Sequence, residues 1–336
     1  GIEKSNYSHF INKKEHAIYR WLRGDRDRWM YSPPENHRID KVGGLLIPEI
    51  RRITTASNII YENEFDTPRC KLNQEILSAL NTLQDTQWEI NLHLLATLFD
   101  IKLEDGTNLS KHSVSNWNDK KKTLIQRTFP KPKKSFRKVF YHESNDKTNQ
   151  ENDLMLEYAR RIIDHNANVF WHSWWCDSRG RLYPRCTFLS PQGNDTSKAM
   201  IRFKHWKPLG KGGAEYDDTD GIYWLHVHVQ NLMQGVENDS WRNKIAAGKK
   251  QTFDEKEEWV NSNLDELREI AKDPSGNAEL LELDIPRKRK SEVFQRLAAI
   301  LELHRVHTVF GEKGKDWSKV TSGLPIHLDA SCNGYQ

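Results

Sequence analysis

The stretch NVFWHSWWCDSRGRLYPRCTFLSPQGND, Asn168 to Asp195, divides the chain. Aromatic, extended-looking runs flank DSRG, which predicts an extended–turn–extended unit. Before it the apolar spacing is helical. After it helices resume, but strand-like alternation returns near the C-terminal end. The fold class expected from this order is α+β, helix-rich first and sheet-containing later.

Working outward, NQEILSALNTLQDTQWEINLHLLATLF (residues 73–99) predicts one long helix. Its stripe is Ile76, Leu77, Leu80, Leu83, Ile90, Leu94, Leu95 and Leu98. Gln84, Asp85 and Gln87 interrupt that stripe. They read as solvent-exposed, the alternative being a polar contact in mid-helix. A shorter helix is expected to end near Gly24, before Pro33-Pro34. ENDLMLEYARRIIDHN (151–166) has helical period through Met155, Tyr158, Ala159, Ile162 and Ile163.

Downstream, residues 252–274 predict a helix opened by a capping box of Thr252 and Glu255 and closed before Pro274. Its buried stripe is Trp259, Val260, Leu264, Leu267, Ile270 and Ala271. Residues 287–303 place Val293, Phe294, Leu297, Ile300 and Leu301 behind a basic leader. GLPIHLDAS (323–331) alternates Leu324, Ile326 and Leu328 against His327 and Asp329, the pattern of a half-buried strand.

Composition bounds the function classes. Twelve Trp, 12 Phe and 10 Tyr in 336 residues supply real cores and argue against disorder throughout. Lys+Arg 51 against Asp+Glu 47 leaves only +4, so the distribution of charge says more than the net. Lys120 to Lys138, KKKTLIQRTFPKPKKSFRK, contains no acid. It reads either as a phosphate-binding surface or as a solvated loop. The four cysteines lack zinc or CxxC spacing and read as reduced, buried thiols. No window approaches the roughly 18 apolar residues of a membrane span. The first residue is Gly, which suggests that the N-terminus is an excision.

Three sites could carry chemistry. Asp329 ends the alternating run, and the small residues Ala330, Ser331 and Gly334 follow it. A strand-end carboxylate beside approachable backbone suits Mg²⁺ bound with phosphates; as a lone feature it is more often a turn or cap residue. Arg179, Arg181 and Tyr183 surround a tight turn and suit phosphate and sugar contacts. A surface hairpin with Asp177 paired to an arginine is the plainer alternative. Gln192, Asn194, Asp195 and Lys198 follow a Pro–Gly turn and read as a turn cluster. They lie close enough to the Arg-rich hairpin in sequence to line one surface with it.

Taken in order, these motifs resemble the single-subunit DNA-directed RNA polymerases of bacteriophage and mitochondrial type. DSRGRLYP resembles the family's DxxGR motif, and SPQGNDTSKAMIRF is similar to the segment after it. KPLGKGGAEYDDTDGIYWLHVHVQNLMQG resembles its glycine turn and Tyr-Trp-Leu helix, with a few extra residues around Tyr216–Thr219. LPIHLDASCNGYQ resembles polymerase motif A, and LNTLQDTQWEIN a helix near the end of the N-terminal domain. The likeness runs from about Ile76 to Gln336 and is loose between Gly106 and Lys147.

The resemblance implies part of a right-hand polymerase fold. Residues 1–105 would end a helical N-terminal domain, 106–168 form a short thumb-like basic region, and 169–336 begin the palm. It implies DNA-templated RNA synthesis, with a DNA template, an RNA transcript, NTPs and Mg²⁺ as partners. Asp329 would bind both metals and the Ala330 carbonyl would assist, where the family usually has glycine. Arg179, Arg181 and Tyr183 would contact template and hybrid, and Lys198 the template backbone. Ser178 stands where many phage members have an aromatic. The second metal-binding aspartate and the fingers helix lie beyond motif A in the family. The chain is therefore expected to be an incomplete polymerase portion, inactive without the missing C-terminal part. A non-catalytic nucleic-acid-binding remnant is the alternative, and a DNA polymerase of related palm topology a weaker one. SPQGND suggests a phage or prophage source and a bacterial cytoplasm; CNGYQ leans toward the mitochondrial members.

Overall fold

The computed structural model describes residues 29–30, 74–99, 133–137, 146–165, 168–176, 181–186, 188–234, 251–277 and 292–327. Along the chain the elements are β1 (Trp29–Met30), α1 (Gln74–Asp85), β2 (Trp88–Ile90), α2 (Leu92–Leu98) and α3 (Asp146–His165). Next come β3 (Trp171–His172), β4 (Trp174–Cys176), β5 (Leu182–Pro184), α4 (Asp195–Ala199), β6 (Ile201–Phe203) and β7 (Lys207–Pro208). The last are α5 (Gly221–Met233), α6 (Phe253–Ser262), α7 (Leu264–Lys272), α8 (Val293–Glu312) and β8 (Thr321–Ser322). The helix-rich α+β class holds, with short antiparallel strand pairs β1–β3, β2–β6, β4–β5 and β7–β8. The helix expected to end near Gly24 lies outside the described residues, as do Cys70 and Cys332. Cys176 and Cys186 are buried and not in disulfides.

These residues fall into two compact units. The first holds α1 and the strands between Phe170 and Gly193. Its core is Leu77, Leu80, Trp174 and Cys176, with Ile76, Leu83 and Leu182 packed against it. The second takes Trp88–Val169 and the chain from Asn194 onward. Its axis is α8, packed against α2, α4, α5, α7 and β8. Because α8 is surrounded, it buries Gln295, Arg296 and Glu302 as well as its apolar residues.

The single helix expected over residues 73–99 is instead α1, β2 and α2. Two local contacts end α1: the hydroxyls of Thr82 and Thr86 donate to the carbonyls four residues back, at 2.8 and 3.0 Å. Trp88, Glu89 and Ile90 then pair antiparallel with Phe203, Arg202 and Ile201, a tertiary demand that overrides helical propensity. Asn91 restarts the helix, its Oδ1 accepting from the Leu94 amide at 3.2 Å. Gln84 is not solvent-exposed: it is wholly buried, and its Oε1 accepts the Trp174 amide at 3.1 Å. The polar-contact alternative is the correct one there.

The helix expected from Thr252 has its capping box, but breaks at Asn263 into α6 and α7. The Asn263 side chain donates to the Trp259 carbonyl at 2.7 Å, competing with the helical ladder. The strand expected across Leu324–Asp329 is likewise absent through His327. Pairing stops at Ser322, and Pro325 has no N–H to continue a ladder. In the acid-free run, Phe136 is fully buried and the Lys133 amide donates to the Leu98 carbonyl at 3.0 Å. That part is anchored, while Lys134 and Arg137 are exposed.

Candidate active site

In the first unit the Arg-rich motif is carried by a hairpin. Trp174, Trp175 and Cys176 pair with Pro184, Tyr183 and Leu182 across residues 177–180. Side chains alternate along a strand, so Leu182 enters the core with Trp174 and Cys176. Arg181 and Tyr183 therefore share the opposite face, each half-buried. The hairpin is stitched at its base. The Arg185 amide donates to the Ser173 carbonyl at 2.7 Å, and the Gln192 side-chain amide donates to the Leu182 carbonyl at 2.9 Å. His172 Nε2 donates to the Leu189 carbonyl at 2.7 Å, and burial pushes this imidazole down to about 4, so it stays neutral. Arg179 lies outside the described residues.

In the second unit the turn cluster is a capped helix. Asn194 Oδ1 accepts from the Ser197 amide at 2.9 Å and starts α4. Lys198 is in its last turn, half-buried. The far end of α4 is fixed by Asn91, whose side chain donates to the Ala199 carbonyl at 3.2 Å and whose amide donates to Met200 at 2.7 Å. Lys198 is near His327, in the segment that resembles motif A. Burial first, and then the Lys198 charge, hold His327 down at about 4. Burial and then His327 hold His228, on α5, at about 4 as well. Asp195, expected among surface turn residues, is buried against the start of α8.

The segment at residues 321–324 is held by buried charge. Arg305 donates to the Thr321 carbonyl at 2.6 Å and to Glu302 Oε1 at 2.5 Å. The Ser322 hydroxyl donates to Glu302 at 2.5 Å and accepts from the Leu324 amide at 3.1 Å. Burial raises the Glu302 pKa, but Arg305, Arg202 and Ser322 outweigh it and bring the group to about 2. Nearby, Glu89 accepts from Arg202 at 3.1 Å, Lys204 at 3.2 Å and the Trp206 indole at 3.0 Å. Both Arg202 and Arg305 lie over the Trp206 ring, at 4.6 and 4.7 Å. Gly323 admits this packing because a Cβ there would come within 2.5 Å of the Phe203 carbonyl and 2.6 Å of Trp206.

The extra residues around Tyr216 are also used. The Tyr216 hydroxyl donates to Glu257 on α6 at 2.5 Å, and its ring meets His226 edge-on. His226 in turn lies 3.1 Å from His307 on α8, ring over ring.

Asp329 and Ala330 lie outside the described residues. Among the described residues no group of three His, Cys, Asp or Glu could hold a metal. A carboxylate and a carbonyl are hard oxygen donors, the kind Mg²⁺ takes. Sequence reasoning missed Glu89, Glu302 and Arg305. Glu89 and Arg202 are 113 residues apart, and nothing local marks their pairing.

Lysine, arginine and tyrosine are side-chain types that contact phosphate and sugar in nucleic-acid complexes. Residues 216–336 match the family model described as DNA-dependent RNA polymerase. The chain is 27% identical to DNA-directed RNA polymerase 3 of Nicotiana sylvestris chloroplasts over 91% of its own length and 28% of the relative's. It is 28% identical to mitochondrial DNA-directed RNA polymerase 1 of Arabidopsis thaliana over 80% of its length and 25% of the relative's. The chain is thus similar to DNA-directed RNA polymerases along most of its length, and the family model matches its last 121 residues. It spans between a quarter and a third of the length of these relatives.

Proposed function

We propose that this chain is the portion of a DNA-directed RNA polymerase running from the end of the N-terminal domain into the palm. The complete enzyme joins NTPs to an RNA 3′-hydroxyl on a DNA template and releases pyrophosphate. The observation that carries this reading is the match over residues 216–336, which includes Asp329 and the braced segment before it. Residues 1–105, 106–168 and 169–336 keep their proposed roles as N-terminal domain end, thumb-like region and early palm.

In this reading Arg179, Arg181 and Tyr183 bind template and hybrid, and Lys198 binds template phosphate. Asp329 and the Ala330 carbonyl hold Mg²⁺, which when bound supplies Lewis acidity for phosphoryl transfer. The buried carboxylate of Glu302, with Arg305, holds Thr321 and Ser322 in the segment leading to Asp329. Polypeptide corresponding to the rest of the relatives' length supplies the remaining catalytic groups. The plastid and mitochondrial names of the relatives favour an organellar compartment over the bacterial cytoplasm and phage or prophage source that SPQGND suggests.

The test is RNA synthesis on a primed template, with the chain combined with a polypeptide matching the remainder of the relatives. Mg²⁺-dependent synthesis is expected, falling by more than about 100-fold in Asp329→Asn, since even residues that only support metal ligands can cost that much. Unchanged synthesis by Asp329→Asn overturns the assignment.

A further inference from the structure

The N-terminus of α8 has no cap of its own. Its N-cap residue, Glu292, makes no side-chain capping bond. The first amides of a helix need acceptors, and burial makes an unmet one costly. Asp195 supplies them from about 100 residues away. Its two carboxylate oxygens accept from the Phe294 amide at 2.9 Å and the Gln295 amide at 3.0 Å. The Gln295 side chain adds a third bond at 3.1 Å. Asp195 is also the first residue of α4, capped by Asn194. One buried carboxylate therefore sits at the N-termini of two helices, where their dipoles favour negative charge.

Lys198 is three residues further along α4. At that spacing the two side chains project from the same side of the helix. Asp195 thus ties the short helix bearing the lysine to the long helix that leads into β8 and the approach to motif A. Five residues do not make a stable helix by themselves, so α4 takes its orientation from such ties.

We propose that Asp195 is a positioning residue for Lys198. By capping α8 in place of a local residue, it sets where the ammonium group is presented to nucleic-acid phosphate. The inference rests on the reading that Lys198 contacts nucleic acid, and the two can fail separately.

The test is a double-mutant cycle on the full chain, titrated with a labelled RNA–DNA hybrid carrying a single-stranded template overhang at several salt concentrations. Lys198→Ala is expected to weaken binding and to lower the salt slope by about 1, the loss of one phosphate contact. Asp195→Asn keeps the shape but loses the charge and one acceptor. It is expected to weaken binding with the same change of slope, although Lys198 is intact. In the Lys198→Ala background it is expected to add nothing. A merely stabilising Asp195 would shift the thermal midpoint and leave the slope alone. Additive effects, or an unchanged slope in Asp195→Asn, overturn the proposal. No effect of Lys198→Ala overturns the reading beneath it. If Asp195→Asn does not fold, Asp195→Glu, which keeps the charge but displaces it, is read in the same cycle with the same outcomes.

Discussion

The hairpin unit and the unit built on α8 solve the problem of holding a functional segment differently. The hairpin is held by apolar packing and by bonds between residues close in sequence. Leu182 rests on Leu77, Leu80, Trp174 and Cys176, and the Arg185 and Gln192 stitches span about ten residues. The α8 unit holds its segment with buried charge. Glu89, Arg202, Glu302 and Arg305 are brought together from β2, β6 and α8. Apolar packing tolerates small adjustments. A buried ionic network does not, because a charge left without its partner is expensive.

The largest expected effect breaks that network. Glu302→Ala leaves the Ser322 hydroxyl without its acceptor and Arg305 without its carboxylate partner, and should cost about 3–5 kcal/mol in denaturant unfolding. A change under about 1 kcal/mol would show the network to be dispensable. In the hairpin unit, Leu80→Ala removes a fully buried side chain and should cost about 2–5 kcal/mol through transfer and cavity terms. Replacing Leu80 with Met should recover most of this loss, whereas Glu302→Gln should recover only part of its own. Equal recovery would erase the contrast between the two units.

Gln84→Ala sharpens the comparison at smaller amplitude. It strips the buried Trp174 amide of a partner and should cost about 1–3 kcal/mol. Thr252→Ala, at an exposed cap, should cost about 1 kcal/mol.

Buried imidazoles and the buried carboxylate respond to different ranges of pH. Burial holds His93, His172 and His228 at about 4 and His307 at about 3, below the unfolded value of 6.5. The unfolded chain then binds more protons, so stability contributed by these groups falls as pH drops below about 6.5. Glu302, lowered to about 2, holds its contribution above about 4.5 and loses it between there and 2. Thermal midpoints should therefore decline in two stages on acidification, and Glu302→Gln should flatten only the lower one.

This difference also explains what the sequence could reveal. The hairpin was legible because alternation, aromatic runs and a turn are local signals. So were the capping box at Thr252 and the helical stripe of α3. The break of residues 73–99 was not, because it depends on Trp88–Ile90 finding Ile201–Phe203. Asp195 read as a turn residue since its partners on α8 lie about 100 residues on. The likeness to RNA polymerases was legible from motif order, while the braces behind those motifs became visible only in three dimensions.

We propose that Asp329 and the Ala330 carbonyl form a Mg²⁺ site. Its most direct test is iron-directed backbone cleavage. Fe²⁺ replaces Mg²⁺ in the presence of the RNA–DNA hybrid, and ascorbate with peroxide generates hydroxyl radicals at the bound ion. The predicted result is a cut at residues 329–330 that excess Mg²⁺ suppresses and Asp329→Asn abolishes. Mg²⁺-suppressible cuts elsewhere, unaffected by Asp329→Asn, would contradict it.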